Sequence, residues 1–171
     1  MKRLFLACCL AWPAAAATHY LTISGLGGEK DYEQRFAAQA REVEKLLEGS
    51  GGEVNVVTVS GAGATREKIK AAFESIAAAA KPADAFVLML IGHAYKFNIP
   101  GPDLSGAELA ALCDRVPAGR QLVVNTTSAS GGSLEALQRP KRAVILATKA
   151  GTERNATVFA RYWVEALRDP A

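Results

Sequence analysis

Cysteine is nearly missing from this chain. Of its three cysteines, Cys8 and Cys9 fall in a short N-terminal apolar segment, which leaves Cys113 alone in the remainder of the 171 residues. One thiol can form neither an internal disulfide nor a cysteine metal cluster. Histidine is as scarce, with only His19 and His93. Two histidines and one cysteine cannot build a zinc site without carboxylates, so no metal or cofactor is expected. A strong charge of one sign is also lacking. The formal net charge is +3, and without Lys2 and Arg3 the balance is 18 basic to 17 acidic residues. That argues against a nucleic-acid role driven by a broad basic field. Half of the residues are hydrophobic and 22% are charged, the composition of a globular domain with a full core rather than of a disordered chain.

What is present begins with a targeting pattern. Lys2 and Arg3 form a charged start, Leu4 to Trp12 an apolar stretch, and Ala14 to Ala17 a run of small residues suited to cleavage. The stretch is too short for a stable membrane anchor. Residues 1–17 are therefore expected to be a bacterial signal peptide, and 18–171 an exported domain, periplasmic or secreted, with no integral membrane segment after its removal.

The remainder alternates between two periodicities. Strands are expected at Tyr20–Ser24, Val54–Val59, Ala85–Gly92, Leu122–Thr127 and Arg142–Thr148, the third being an unbroken apolar run of the kind buried on both faces. Between and after them fall helices. Asp31–Glu48 carries Phe36, Ala40, Val43 and Leu47 on one stripe, and Thr65 caps a helix to about Ala80. Ser105 with Glu108 is a capping box for a helix to Arg115. Leu134–Leu137 is short, and Asn155–Leu167 closes the chain with Phe159, Trp163 and Leu167 in register. Such alternation predicts an α/β three-layer sandwich with a mostly parallel sheet of at least five strands. In open sheets of this kind ligands bind beyond the carboxyl ends of the strands, where small and polar residues gather here.

Two side chains on that rim carry chemistry. His93 follows the third strand, and its ordinary pKa suits a general base at neutral pH. Ser128 follows the fourth. If those strands are neighbours, about 4.8 Å apart, the two can come within hydrogen-bond reach. Ser130-Gly131-Gly132-Ser133 then offers either backbone N–H groups for an oxyanion or a plain turn into a short helix. Gly92, Lys149 and Arg154 complete the candidate pocket, with the alternative that Lys149 and Arg154 are solvated and Asn155 caps the last helix. Gly61-Ala62-Gly63 before a helix reads as a turn, with phosphate binding as the alternative. His19, beside the cleavage site, is expected to be solvated. Cys113 lies on an apolar stripe with Leu109 and Leu112 and is expected to be a buried, structural thiol.

The placement of these residues resembles the caspase/legumain superfamily of cysteine peptidases. Members put a His, usually His-Gly, after the third strand and a Cys after the fourth, often as Cys-x-Ser-Gly in the legumain-like branch. This chain reads Gly92-His93-Ala94 and Ser128-Ala129-Ser130-Gly131, which puts Ser128 at the nucleophile position. The "ISGLGG" segment followed by Tyr32, and the segments "YKFNIPGPDLS" and "ATKAGTERNATVF", are also similar to bacterial legumain/caspase-like proteins. The likeness spans roughly residues 19 to 168. It implies a caspase-like fold and a peptide or protein as substrate or partner.

Three departures shape the expectation. Ser replaces the Cys nucleophile, and a hydroxyl needs a better-oriented base than a thiol does. Ala94 replaces the usual Gly, in a loop that is shortened. Relatives commonly continue beyond the point that corresponds to Ala171, which leaves a trimmed or truncated member as one open reading. The first expectation is thus an exported pseudo-peptidase that binds a peptide or protein in the strand-end groove. The alternatives are an active hydrolase using Ser128 and His93, and a small-ligand or nucleotide-binding module of the flavodoxin type.

Overall fold

A computed structural model describes residues 16–93, 97–153, 155 and 157–169. Five strands, β1 (Thr18–Ser24), β2 (Val54–Ser60), β3 (Ala85–Ile91), β4 (Arg120–Asn125) and β5 (Arg142–Leu146), alternate with helices α1 (Lys30–Glu48), α2 (Arg66–Ala79), α3 (Gly106–Asp114) and α4 (Leu134–Leu137), and α5 (Phe159–Arg168) follows. Every pairing is parallel, in the order β2-β1-β3-β4-β5. The mostly parallel sheet read from the sequence is therefore wholly parallel.

The continuous apolar run of β3 is explained by burial on both faces. Phe86, Leu88 and Leu90 point into a core with α2 and α3, while Met89 and Ile91 point into a second core with α1 and α5. Burying each such side chain contributes about 1.5–3 kcal/mol. The stripe on α1 behaves as its spacing requires: Phe36, Ala40, Val43 and Leu47 are its buried residues. The capping box is formed, with Ser105 Oγ accepting from the Glu108 N–H at 3.2 Å and Glu108 Oε2 accepting from the Ser105 N–H at 3.0 Å. Cys113 is fully buried, and burial pushes its thiol up to about 12.

Other expectations need correction. β1 starts at Thr18 rather than Tyr20, and His19 is not solvated. It is 3% exposed, and its Nε2 lies 3.3 Å from Oδ2 of Asp84, which is also buried. Asp84 further accepts from the backbone N–H groups of Lys81 at 2.8 Å and Ala17 at 2.9 Å, and these bonds hold its carboxyl below the ordinary value. Ala17 also accepts from the Ala85 N–H at 2.9 Å. A residue placed in the targeting segment thus joins the sheet's amino-terminal edge; residues 1–15 lie outside the described residues. At the other end, α5 begins at Phe159 after Val158, with no side-chain cap, so Asn155 does not cap it. β5 is held by a buried arginine. Arg142 donates to Gln121 Oε1, to the Leu137 carbonyl and to Asp114 Oδ1 at 2.8, 3.0 and 2.6 Å. Among the described residues no helix is long and apolar enough to cross a membrane.

Candidate active site

The sheet register brings the two candidate residues together. Leu90 of β3 pairs with Asn125 of β4, the last pair between these strands. His93 and Ser128 each lie the same distance beyond that pair, so they leave the sheet side by side. Ser128 Oγ and His93 Nδ1 are 3.2 Å apart, inside hydrogen-bond range.

The imidazole is positioned from its other side by Tyr32. The two rings are stacked, with centroids 5.7 Å apart and planes 13° from parallel, and the Arg35 guanidinium lies 4.6 Å above the tyrosine ring. A glycine makes this approach feasible. A Cβ on Gly27 would fall 2.4 Å from Tyr32 Cβ, so the first turn of α1 can come this close only because that side chain is absent. The "ISGLGG" segment therefore serves packing around the histidine. Gly25 has a similar reason. A Cβ there would meet the Asn98 carbonyl at 2.4 Å, and that carbonyl accepts from the Leu26 N–H at 2.8 Å.

Those contacts also fill the crevice between β1 and β3, where the strand order reverses and a nucleotide would bind in a flavodoxin-type fold. The chain's own residues 97 and 98 occupy it. Gly61–Gly63 forms a single 3-10 turn, and Thr65 caps α2 by accepting from the Lys68 N–H at 3.3 Å, as the turn reading expects.

Asn125, to which the sequence alone assigns no part in the site, shapes the turn that presents Ser128. Its Oδ1 accepts from the Thr127 N–H and hydroxyl at 3.1 and 2.8 Å, and its Nδ2 donates to Ser133 Oγ at 3.1 Å. Ser128 itself is only 1% exposed, whereas His93 is half-buried. The Gly-rich turn behind it is tied down rather than open. The N–H groups of Ser130, Gly131 and Gly132 donate to the Thr127 carbonyl, Thr148 Oγ1 and the Ala129 carbonyl at 3.3, 3.1 and 3.1 Å. Ser130 Oγ accepts from the Thr148 N–H at 3.0 Å. Ser130 and Gly131 therefore fasten the β4 turn to the segment after β5. An oxyanion would have to displace these acceptors before using their amides.

Gly92 lies beside His93, its α-carbon facing Phe97. Lys149 is exposed on the loop after β5, which Glu153 closes by accepting from the N–H groups of Lys149 and Ala150 at 2.9 and 2.8 Å. Arg154 and Ala94 lie outside the described residues. No carboxylate bonds to His93 among the described residues, and no group of three or more His, Cys, Asp or Glu among them is placed to hold a metal ion. Among the described residues the chemical content of the site is thus a hydroxyl–imidazole pair without the acid that orients the base in a Ser-His-Asp triad.

No family model matches the sequence, and no curated protein matches it. Among solved structures, the fold is similar to that of a secreted C11 cysteine protease from Bacteroides thetaiotaomicron, crystallised with an irreversible peptide inhibitor. The TM-score is 0.55 and the sequence identity 14%, over 91% of this chain and 55% of that one. At this identity the likeness shows a caspase-like α/β fold. The chain spans little more than half the length of the protease it resembles.

Proposed function

We propose that this chain is an exported, caspase-fold peptide-binding domain: a legumain-like peptidase whose nucleophile position holds Ser128, binding a peptide or protein across the carboxyl ends of β3 and β4 without efficient cleavage. The carrying observation is the pair itself, Ser128 Oγ at 3.2 Å from His93 Nδ1 with the hydroxyl enclosed. With sulfur in place of that oxygen, the same pair would form a thiolate readily, because an adjacent imidazolium lowers a thiol's pKa into the physiological range. A serine hydroxyl gains far less, and needs the base to take its proton during attack. The missing acid on His93 and the committed amides of residues 130–132 both lower the chance of that step. Peptide binding is carried over from the protease of similar fold, which was crystallised with a peptide inhibitor. Export, to the periplasm or beyond, follows from the targeting pattern of residues 1–17.

The second reading, an active serine hydrolase, is favoured by the same Ser128–His93 hydrogen bond. Cleavage of a peptide library by the purified chain, by Ser128→Ala and by Ser128→Cys separates the two. Our reading expects a silent wild type and a silent Ser128→Ala, with cleavage appearing in Ser128→Cys. Wild-type cleavage that Ser128→Ala abolishes would establish the hydrolase instead.

A further inference from the structure

A buried carboxylate at the amino-terminal edge of the sheet takes one of its partners from a residue read as leader. Asp84, just before β3, is 5% exposed. Its Oδ2 accepts from the Lys81 N–H at 2.8 Å and faces His19 Nε2 at 3.3 Å, and no lysine or arginine side chain pairs with it among the described residues. Buried carboxylates are ordinarily matched by charge. Its Oδ1 accepts from the backbone N–H of Ala17 at 2.9 Å. Ala17 is tied in on its other side as well. Its carbonyl accepts from the Ala85 N–H at 2.9 Å, and the next residue, Thr18, opens β1 and donates to the Glu53 carbonyl at 2.8 Å. Ala17 is half-buried, whereas Ala16 is exposed. The alanines at positions 14–17 meet the small-residue rule for leader removal in two registers, since small side chains at the third and first positions before the cut allow hydrolysis after Ala16 or after Ala17. The folded chain tells the two apart. A cut after Ala17 strips Asp84 Oδ1 and the Ala85 N–H of their partners, and polar groups left unsatisfied beside a core are costly. A cut after Ala16 keeps both.

We propose that the bond between Ala16 and Ala17 is the processing site of the exported chain, and that the amino group freed there docks on Asp84 as an ion pair. The inference rests on the export reading above and moves its boundary by one residue, to a leader of residues 1–16. Hydrolysis consumes one water. The Ala16 carbonyl carbon takes the water's oxygen and leaves as a carboxylate, and the Ala17 nitrogen takes both hydrogens and becomes an ammonium. The nitrogen that donates to Asp84 Oδ1 as a neutral amide then donates as a cation, a charge-assisted bond about twice as strong. Ala17 lines a cavity of about 530 Å³ with His19, Glu53, Lys81 and Asp84, which leaves room for water on the two further N–H groups of the ammonium. Processing thus adds to the buried carboxylate a full positive charge that the precursor does not supply, and it fastens the start of β1 to the approach of β3.

The test has two readouts. In the first, the full chain is produced in a bacterium, and the exported protein is analysed by amino-terminal sequencing and intact mass. A chain that begins at Ala17 is expected. A start at Thr18 or at any other residue would overturn the site and leave export standing, whereas recovery of the unprocessed chain alone would overturn both. In the second, chains released from a fusion partner so as to begin at Ala16, Ala17 or Thr18 are melted, each with Asp84 and with Asp84→Asn. The chain beginning at Ala17 should melt highest, by roughly 2–4 °C, because one added alanine carries the charge away from Asp84 and one fewer removes the donor. Asp84→Asn should erase the difference between the Ala16 and Ala17 starts. Equal melting of those two chains with Asp84 in place would overturn the ion pair, and that comparison decides the matter even where Asp84→Asn does not fold.

Discussion

Gly131 lies so close to Ala150 that a Cβ on it would stand 2.5 Å from the Ala150 backbone nitrogen and 2.6 Å from the Lys149 carbonyl oxygen. Both are main-chain atoms, which cannot swing aside as a side chain would. The turn that carries Ser128 and the loop after β5 are therefore one packed unit. Gly131→Ala should destabilise the protein by about 1–3 kcal/mol, as overpacking does, read as a lower midpoint in urea denaturation. An unchanged midpoint would mean the two segments separate at little cost.

Arg142 joins three elements with one side chain. Removing it by Arg142→Ala leaves the Leu137 carbonyl and Gln121 Oε1 without their donor. A loss of about 3 kcal/mol is expected, the low end for breaking a buried ion pair, because Asp114 itself reaches solvent. Chemical denaturation measures it directly.

Cys113 should resist modification. Burial raises its thiol to about 12, so almost no thiolate exists at pH 8. A disulfide-exchange reagent added to the native protein, purified without residues 1–17, should react only on the unfolding timescale, and stoichiometrically once denaturant is added. Rapid reaction of the native protein would contradict the burial.

Acid should weaken the fold. The Ser105 N–H and then Arg66 hold the Glu108 carboxyl down at about 2, and the N–H groups of Lys81 and Ala17, with His19, hold Asp84 below its ordinary value. Both carboxylates are more acidic folded than unfolded. Their contribution is present above the ordinary carboxylate range and is lost as pH falls from there through the folded values. Thermal melts should therefore decline as pH falls from about 4.5 toward 2, and Glu108→Gln and Asp84→Asn should each flatten that decline.

How legible all this was depended on range. The α1 stripe and the Ser105–Glu108 box are local patterns, and both stand as read. The convergence of His93 and Ser128 followed from two apolar runs ending in polar residues, because parallel register does the rest. His19 was misread because its partner, Asp84, lies in another strand's approach, where no local spacing marks it. Asn125 and Arg142 were missed for a related reason: each owes its role to acceptors or donors that only the folded sheet collects. The early start assigned to α5 came from reading Asn155 as a cap, although the apolar stripe begins only at Phe159. The turn at Ser130–Ser133 left two readings open, and only the position of Thr148 shows where its amides go.

The central claim is a peptide held, intact, at the carboxyl ends of β3 and β4. The direct test is titration of isotope-labelled protein with a peptide, following amide signals by NMR and the peptide by mass spectrometry. The account predicts shifts at Gly92, His93, Thr126 and Ser128, none at His19 or Asp84 on the opposite edge, and an unbroken peptide. Shifts confined to the opposite edge, or a peptide cut by the wild-type chain, would contradict it.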